Sequence, residues 1–324
     1  MKNIRTITKN HEPNSKAAAW KPTRRVFLKT SGLFIAGLAA GAPLAYANAT
    51  GRSPKLRFGM VTDPHFADIE AIGTRHYRES VAKMTECAAL MNEKKVDFLI
   101  ELGDLKDQGN PPSEKDTLTY LDTIEQAFKQ FKGPRYHVLG NHDMDSLSKQ
   151  QFLNGIENTN IAKEASFYSF DVKGLHFIVL DANYNADDSD YDHGNFNWAD
   201  SNVPRQQLDW LRRDLESSSK PVIVFIHQQL DGEGDLTVRN AAEVRQILQE
   251  SAKVLAVFQG HNHEGHYSHI EGIHYYTLKA MVEGTGEENN SYAIVDVYDE
   301  QTIAVTGYRR AASRKMEKST TQQM

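Results

Sequence analysis

The sequence predicts an α/β domain of two packed β-sheets with helices outside, and three observations carry that prediction. Residues 55–102 read strand, helix, strand, a βαβ unit that favours a parallel pair with a right-handed crossover. From residue 266 the pattern turns to closely spaced strands with no helix between them, which reads as an antiparallel-rich end. Five strand-like apolar runs also end on Asp, Asn or His, which places polar chemistry at the strand ends.

Taken in order, residues 55–62 form the first strand and run into Asp63-Pro64-His65. A helix over about 74–94 follows, with Tyr77, Val81, Met84, Ala88 and Met91 at helical spacing. The single cysteine, Cys87, lies on that apolar stripe and reads as a buried spacer; alone, it excludes an internal disulfide. Residues 97–102 are the second strand, broken at Gly103 so that Asp104 stands just past its end. Pro111-Pro112-Ser113 opens a helix striped by Leu118, Leu121, Ile124, Phe128 and Phe131, and Gly133-Pro134 closes it.

The third strand, 136–139, runs into Gly140-Asn141-His142-Asp143. Residues 166–172 and 175–180 form a hairpin about Lys173-Gly174. The long stretch 183–203, with Tyr184, Tyr191, His193, Phe196 and Trp198, is either a wall of a substrate pocket or a self-packed surface loop. Pro204 starts a helix carrying Leu208, Leu211 and Leu215. Strand 221–226 ends in His227, helix 238–250 follows, and strand 254–258 leads to Gly260-His261-Asn262-His263. Strands 266–270, 273–278, 292–298 and 302–308 complete the domain. No internal repeat and no linker divides 50–310, and 311–324 reads as a polar tail.

The first 49 residues are set apart. Thr23-Arg24-Arg25-Val26-Phe27-Leu28-Lys29 is a twin-arginine pattern, followed by an apolar run over 33–44 and small residues suited to cleavage near Ala47 or Ala49. The run is shorter than the roughly 20 apolar residues of a spanning helix. The expectation is a signal peptide over 1–49, read by the twin-arginine export machinery, that delivers a folded protein to the periplasm or beyond without a stable membrane anchor. The alternative is an amphipathic or anchoring N-terminal helix. Removing the eight Lys/Arg and one acid of residues 1–49 from totals of 37 and 43 leaves 29 against 42, a net charge of −13. Such a surface does not recruit nucleic acid, and handling phosphate on it requires a local positive centre, which bound metal ions supply.

The strand ends supply suitable ligands: Asp63 and His65, Asp104, Asn141, His227, and His261 with His263. With no thiolate among them, the set suits Mn, Fe, Zn, Co or Mg. Two divalent ions about 3.5–4 Å apart can clamp the attacking and leaving oxygens of an in-line displacement and acidify a bound water. One carboxylate must be shared between them, and Asp104 is the candidate. Singly, an Asp-x-His, a Gly-Asp turn or a histidine ending a strand is commonplace; the five in order are not.

The series DPH, GD, GNHD, FIH and GHNH resembles the calcineurin-like metallophosphoesterase superfamily across nearly all of residues 50–310. That resemblance implies a four-layer αββα sandwich of two mixed sheets. It implies one metal on Asp63, His65, Asp104 and His263, and a second on Asp104, Asn141, His227 and His261. His142 then matches the catalytic histidine, and Asp107, three residues after Asp104, the acid that orients it and favours its charged form. The chain departs from purple acid phosphatases, which have a Tyr ligand, and from the protein phosphatases, whose Arg is Gln108 here.

RHYRES, QQLDWLRRDL and YTLKAMVEGTGEENNSYAIVDVY are similar to the manganese-dependent ADP-ribose/CDP-alcohol diphosphatases. Some members of that group carry Gln where His65 stands. Arg75 and Arg78 either hold a phosphate or are surface arginines on a helix turn, and Glu283 is a further candidate for substrate contact. The resemblance implies a small phosphorylated substrate, two divalent ions (Mn, Fe or Zn), and hydrolysis of a phosphoric ester or anhydride by a metal-bridging hydroxide. Nucleoside-diphosphate-linked substrates lead. The alternatives are a broad phosphomonoesterase or phosphodiesterase scavenging phosphate, and a catalytically silent metal-binding protein, against which the intact ligand set, His142 and Asp107 argue.

Overall fold

The computed structural model describes residues 53–317, so the expected signal segment lies outside the described residues. The predicted opening unit is present: β1 (Leu56–Val61), α1 (Ser80–Lys94) and β2 (Phe98–Glu101), with β1 and β2 parallel and Phe58 opposite Phe98. α2 (Glu114–Phe128) returns the chain to β3 (Arg135–His137), parallel to β2. After α3 (Lys149–Gly155) come β4 (Tyr168–Val172), β5 (Leu175–Val179), α4 (Arg205–Ser217), β6 (Val222–Phe225), α5 (Ala241–Glu250) and β7 (Val254–Gln259). The chain ends on β8 (His266–Ile270), β9 (Ile273–Thr277), β10 (Ser291–Val297), β11 (Ile303–Arg309) and β12 (Arg314–Met316).

These strands make two six-stranded mixed sheets, β12-β11-β10-β1-β2-β3 and β4-β5-β6-β7-β9-β8. Period-two alternation in β1 sends Leu56, Phe58 and Met60 into the core between the sheets. There Phe58 stacks on Phe98 at 4.9 Å and meets Phe177, Phe225 and Phe258 of the second sheet edge-on at 5.9, 5.7 and 5.8 Å. Each such pair adds roughly 0.5–1.5 kcal/mol beyond area burial. The other face of the first sheet is covered by α1, α2 and α3 through Met84, Met91, Leu121, Ile124 and Phe152. The outer face of the second is covered by α4 and α5 through Leu208, Leu211, Val244 and Leu248. The result is the four-layer αββα sandwich, with the parallel strands of both sheets delivering their carboxyl ends to one site.

Several local expectations change. α1 starts at Ser80 because residues 72–76 are tied elsewhere: Arg75 bridges Glu283, and the His76 N–H donates to Val282 O. Leu118 is 37% exposed, and Thr117 takes its place on the buried face of α2. α3 was not anticipated, although Ser148 and Gln151 form the reciprocal capping box that marks a helix start. The polar-tail reading is corrected for residues 314–316, which form the edge strand β12 and bury Met316 in the central core. Lys173 and Gly174 both have positive φ, as a two-residue hairpin turn requires, and Cys87 is buried as expected. No helix among the described residues is long and apolar enough to cross a membrane.

Candidate dinuclear metal centre

Four polar residues at the strand ends, Asp63, His65, Asp104 and His261, have φ of +51°, +47°, +58° and +66°. Left-handed backbone at a residue other than glycine costs about 1–3 kcal/mol and persists only where its surroundings impose it. Here the loops after β1 and β2 run side by side, with the Asp63 N–H on Gly103 O (3.0 Å) and the His65 N–H on Asp104 O (2.9 Å). Asp143 ties the loop after β2 to its own loop after β3, accepting from the N–H groups of Asp104 (3.2 Å), Leu105 (3.0 Å) and Gly140 (2.8 Å). Buried Lys106 donates to the His142 carbonyl. A Cβ on Gly140 would lie 2.2 Å from both Asp104 N and Asp104 Oδ1, so only glycine lets these loops meet. In the sequence Asp143 is only the end of GNHD; its place as the knot of these loops appears with the fold.

The donor atoms fall into two groups that meet at Asp104. His65 Nε2 and His263 Nε2 are 3.2 Å apart, and they lie 3.5 and 3.4 Å from Asp63 Oδ1. Asp104 Oδ2 is 3.5 Å from His65 Nε2 and 3.1 Å from His227 Nε2, and His261 shares that second group. Ligand bonds near 2.1 Å place donors on one ion roughly 3.0–3.5 Å apart, which matches these spacings.

The hydrogen bonds around the centre engage the outer nitrogens of three of these rings and turn the inner ones toward the site. Nδ1 of His227 donates to Leu102 O (2.8 Å), Nδ1 of His263 to Glu283 (2.6 Å) and Nδ1 of His65 to Asp107 Oδ2 (3.2 Å), so each ring turns Nε2 inward, where a cation can replace its proton. Asp63 Oδ1, Asn141 Oδ1, His227 Nε2 and His261 Nε2 are buried with no hydrogen-bond partner. Each such group costs about 1–3 kcal/mol if left unmatched. Burial opposes charging of His227 and His263, yet the adjoining carboxylates carry both up to about 9. Burial and His227 push His261 down to about 3, which leaves it a neutral ligand. A site that demands positive charge between orphaned donors fits two divalent cations, and all seven predicted ligands are brought together.

His142 opens into a cavity of about 310 Å³ that Asp104, Asn141, His261 and His263 floor and Arg75, Trp198 and Leu236 wall. Its backbone N–H donates to Asp104 Oδ1 (2.7 Å). Burial disfavours the charged ring, but Asp104, Asp145 and Asp107 outweigh it and hold the pKa well above the usual imidazole range. The expected pairing of His142 with Asp107 is altered. Nδ1 of His142 is 2.6 Å from Asp145 Oδ2 and 3.6 Å from Asp107 Oδ1, while Asp107 is engaged by His65 and by the Gln108 N–H (2.7 Å). Asp145 escaped the sequence reading.

Of the proposed substrate contacts, only Arg75 lines the cavity. Arg78 is 48% exposed and held at the surface by Asp68 (2.5 Å) and Glu70, and Glu283 is committed to His263. Both are corrected on that ground. The 183–203 stretch divides between its two readings. Tyr191 and Phe196 stack at 4.0 Å within the loop, and Lys149 sits 3.5 Å over the Tyr184 ring. Trp198 instead faces the cavity, 45% exposed and 5.8 Å from the His261 ring.

The calcineurin-like phosphoesterase profile matches residues 56–265. A manganese-dependent ADP-ribose/CDP-alcohol diphosphatase of Oryza sativa subsp. japonica is 26% identical over 304 residues, covering 80% of this chain and 93% of that protein. Its counterpart in Arabidopsis thaliana is 26% identical over 322 residues, covering 82% and 98%. A dimetal phosphatase from Danio rerio shares the fold with a TM-score of 0.72 at 21% identity, covering 82% of this chain and all of that one (100%).

Proposed function

The chain belongs to the calcineurin-like phosphoesterase family and is a metal-dependent phosphoester hydrolase using two divalent ions, and from that premise we propose that it is exported and splits the phosphoanhydride of small nucleoside-diphosphate-linked compounds. One observation carries the substrate reading: the cavity above the centre has an aromatic wall, Trp198, and a cation, Arg75, in addition to its phosphate-handling floor. A phosphomonoesterase needs only the floor. A base against Trp198 gains roughly 1–3 kcal/mol from stacking, and Arg75 offers a planar guanidinium to the second phosphate. The names of the two plant relatives point the same way.

Bound ions supply charge for the phosphate oxygens and a nucleophile at neutral pH. The chain's residues do the rest. Asp63, Asp104 and the inward imidazoles would hold the ions, and Asp104 also anchors the His142 backbone. His142, charged and facing the cavity, gives its Nε2 proton to the leaving oxygen as the bond from phosphorus to that oxygen breaks.

In the manganese-loaded protein, Trp198→Ala should lower kcat/KM for ADP-ribose and CDP-choline by about 5- to 150-fold, the factor that roughly 1–3 kcal/mol of stacking implies. Hydrolysis of glycerol phosphate, which has no base, should be unchanged. Equal losses on both, or a wild type that prefers the monoester, would favour a broad scavenging phosphatase.

The export half of the proposal rests on Arg24 and Arg25 ahead of the short apolar run. Arg24→Lys with Arg25→Lys should leave full-length precursor in the cytoplasm of a bacterial host. Appearance of the double variant in the periplasm at processed size would refute the signal reading.

A further inference from the structure

We infer that Asp145 is the positioning residue for His142, and that Asp107 instead serves the metal ligand His65. The inference rests on the reading of His142 as the proton donor. It departs from the arrangement expected from the resemblance, in which the acid three residues after Asp104 orients that histidine.

The backbone makes the pairing local. His142–Met144 is a 3-10 turn capped by Asp145, whose own N–H donates to His142 O at 3.2 Å. In a 3-10 turn side chains three apart eclipse one another, so the turn itself lays the Asp145 carboxylate against the imidazole at 2.6 Å. The turn is held from three sides. Asp143 pins its start to the Asp104 loop, Lys106 grips the His142 carbonyl, and the 183–203 loop clamps its far side. There the Gly194 N–H donates to Met144 O (2.9 Å) and the His193 N–H to Leu147 O (3.0 Å). Gly194 has φ +71°, and a Cβ there would lie 3.0 Å from Asp145 O, so close approach of the clamp depends on glycine.

Asp107 is directed elsewhere and stands farther from the ring, its Oδ1 being 3.6 Å from His142 Nδ1. Its Oδ2 accepts from His65 Nδ1 and its Oδ1 from the Gln108 N–H. The two carboxylates therefore divide the work. Asp145 fixes the His142 tautomer with the proton on Nδ1 and aims Nε2 at the cavity, and Asp107 does the same for a ring that holds a metal.

The test compares Asp145→Asn with Asp107→Asn, alone and in a His142→Ala background. Asp145→Asn should keep two metal equivalents by elemental analysis and lose about 10- to 100-fold in kcat, the usual effect of removing a partner that orients a site histidine. The loss should be larger for a basic leaving group than for nitrophenolate, a difference that a merely structural defect would not produce. Added to His142→Ala, Asp145→Asn should cost nothing more, because its effect runs through the ring. Asp107→Asn should instead weaken metal binding by a similar factor and still add its loss in the His142→Ala background.

A readout independent of turnover is the low-field Nδ1 proton of His142 in the zinc-loaded protein, where manganese cannot broaden it. His142→Ala assigns it, Asp145→Asn should abolish it and Asp107→Asn should keep it. The reverse pattern, or a full extra loss from Asp145→Asn in the His142→Ala background, overturns the inference. If His142→Ala left turnover intact, the proton-donor reading would fail while the proton spectrum still decided which carboxylate holds the ring.

Discussion

Asp104→Asn should lose both metal ions and nearly all turnover together. Asp104 Oδ2 lies 3.5 Å from His65 Nε2 and 3.1 Å from His227 Nε2, one in each donor group, while Oδ1 is taken by the His142 N–H. Oδ2 therefore lies between the two donor groups and would be shared by the cations they hold. Burial opposes the charged carboxylate, but His227 and His142 keep it ionised well below the usual range, so the surroundings are built for an anion there. An amide has no charge to offset two cations, and with its nitrogen inward it repels them. The backbone should tolerate the change, because asparagine enters the left-handed region more readily than most residues.

Charge stabilisation by the ions is worth several kcal/mol in the transition state, so turnover should fall by at least about 10³-fold. Elemental analysis, circular dichroism and turnover on one preparation check this. A folded variant that retained two tightly bound equivalents would remove Asp104 from the bridging position.

The sequence was legible where a residue's own chemistry announced its place. Asp63, His65, Asn141, His227, His261 and His263 end apolar runs, and a strand end is where a folded sheet presents polar groups to a site. The layers were legible because Phe58 and Met60 alternate along β1, and Leu208, Leu211 and Leu215 repeat at helical spacing on α4. What escaped depends on contacts between segments far apart in the chain. Arg78 looks like a phosphate ligand until Asp68 and Glu70 close on it. Glu283 is set beneath His263 only because residues 281–282 run beside 62–63, with the Val282 N–H on Asp63 O at 3.0 Å. Asp145 is the instructive case: His-x-x-Asp is common, and here it becomes a pair because the turn is 3-10, a shape held by the loops that clamp it. Edge strand β12 was hidden for another reason, since Met316 alone of its three residues is buried.

His142→Ala should separate catalysis from metal holding. His142 follows Asn141 on the same turn, yet the two point to different tasks. Asn141 Oδ1 is buried and orphaned, whereas the His142 ring is hydrogen-bonded through Nδ1 and 27% exposed toward the cavity. Its charge is favoured by Asp104, Asp145 and Asp107 against the pull of burial, so it enters the reaction as a proton donor. General acid catalysis of this kind contributes roughly 10²–10⁴-fold, and the substitution should lower kcat by that factor. Metal counting is the necessary control, because His142 also shares a donor group spanning less than 4.8 Å with His65 and Asp104. Two equivalents should remain. The deficit should shrink for nitrophenolate and for a sugar phosphate, whose conjugate acids have pKa values near neutrality and which depart without a proton, and stay large for an alkoxide. Equal deficits on good and poor leaving groups would assign the ring to electrostatic stabilisation of the transferring phosphoryl group. Loss of one metal equivalent would instead make His142 a ligand, and the open side of the centre would then have to be sought elsewhere.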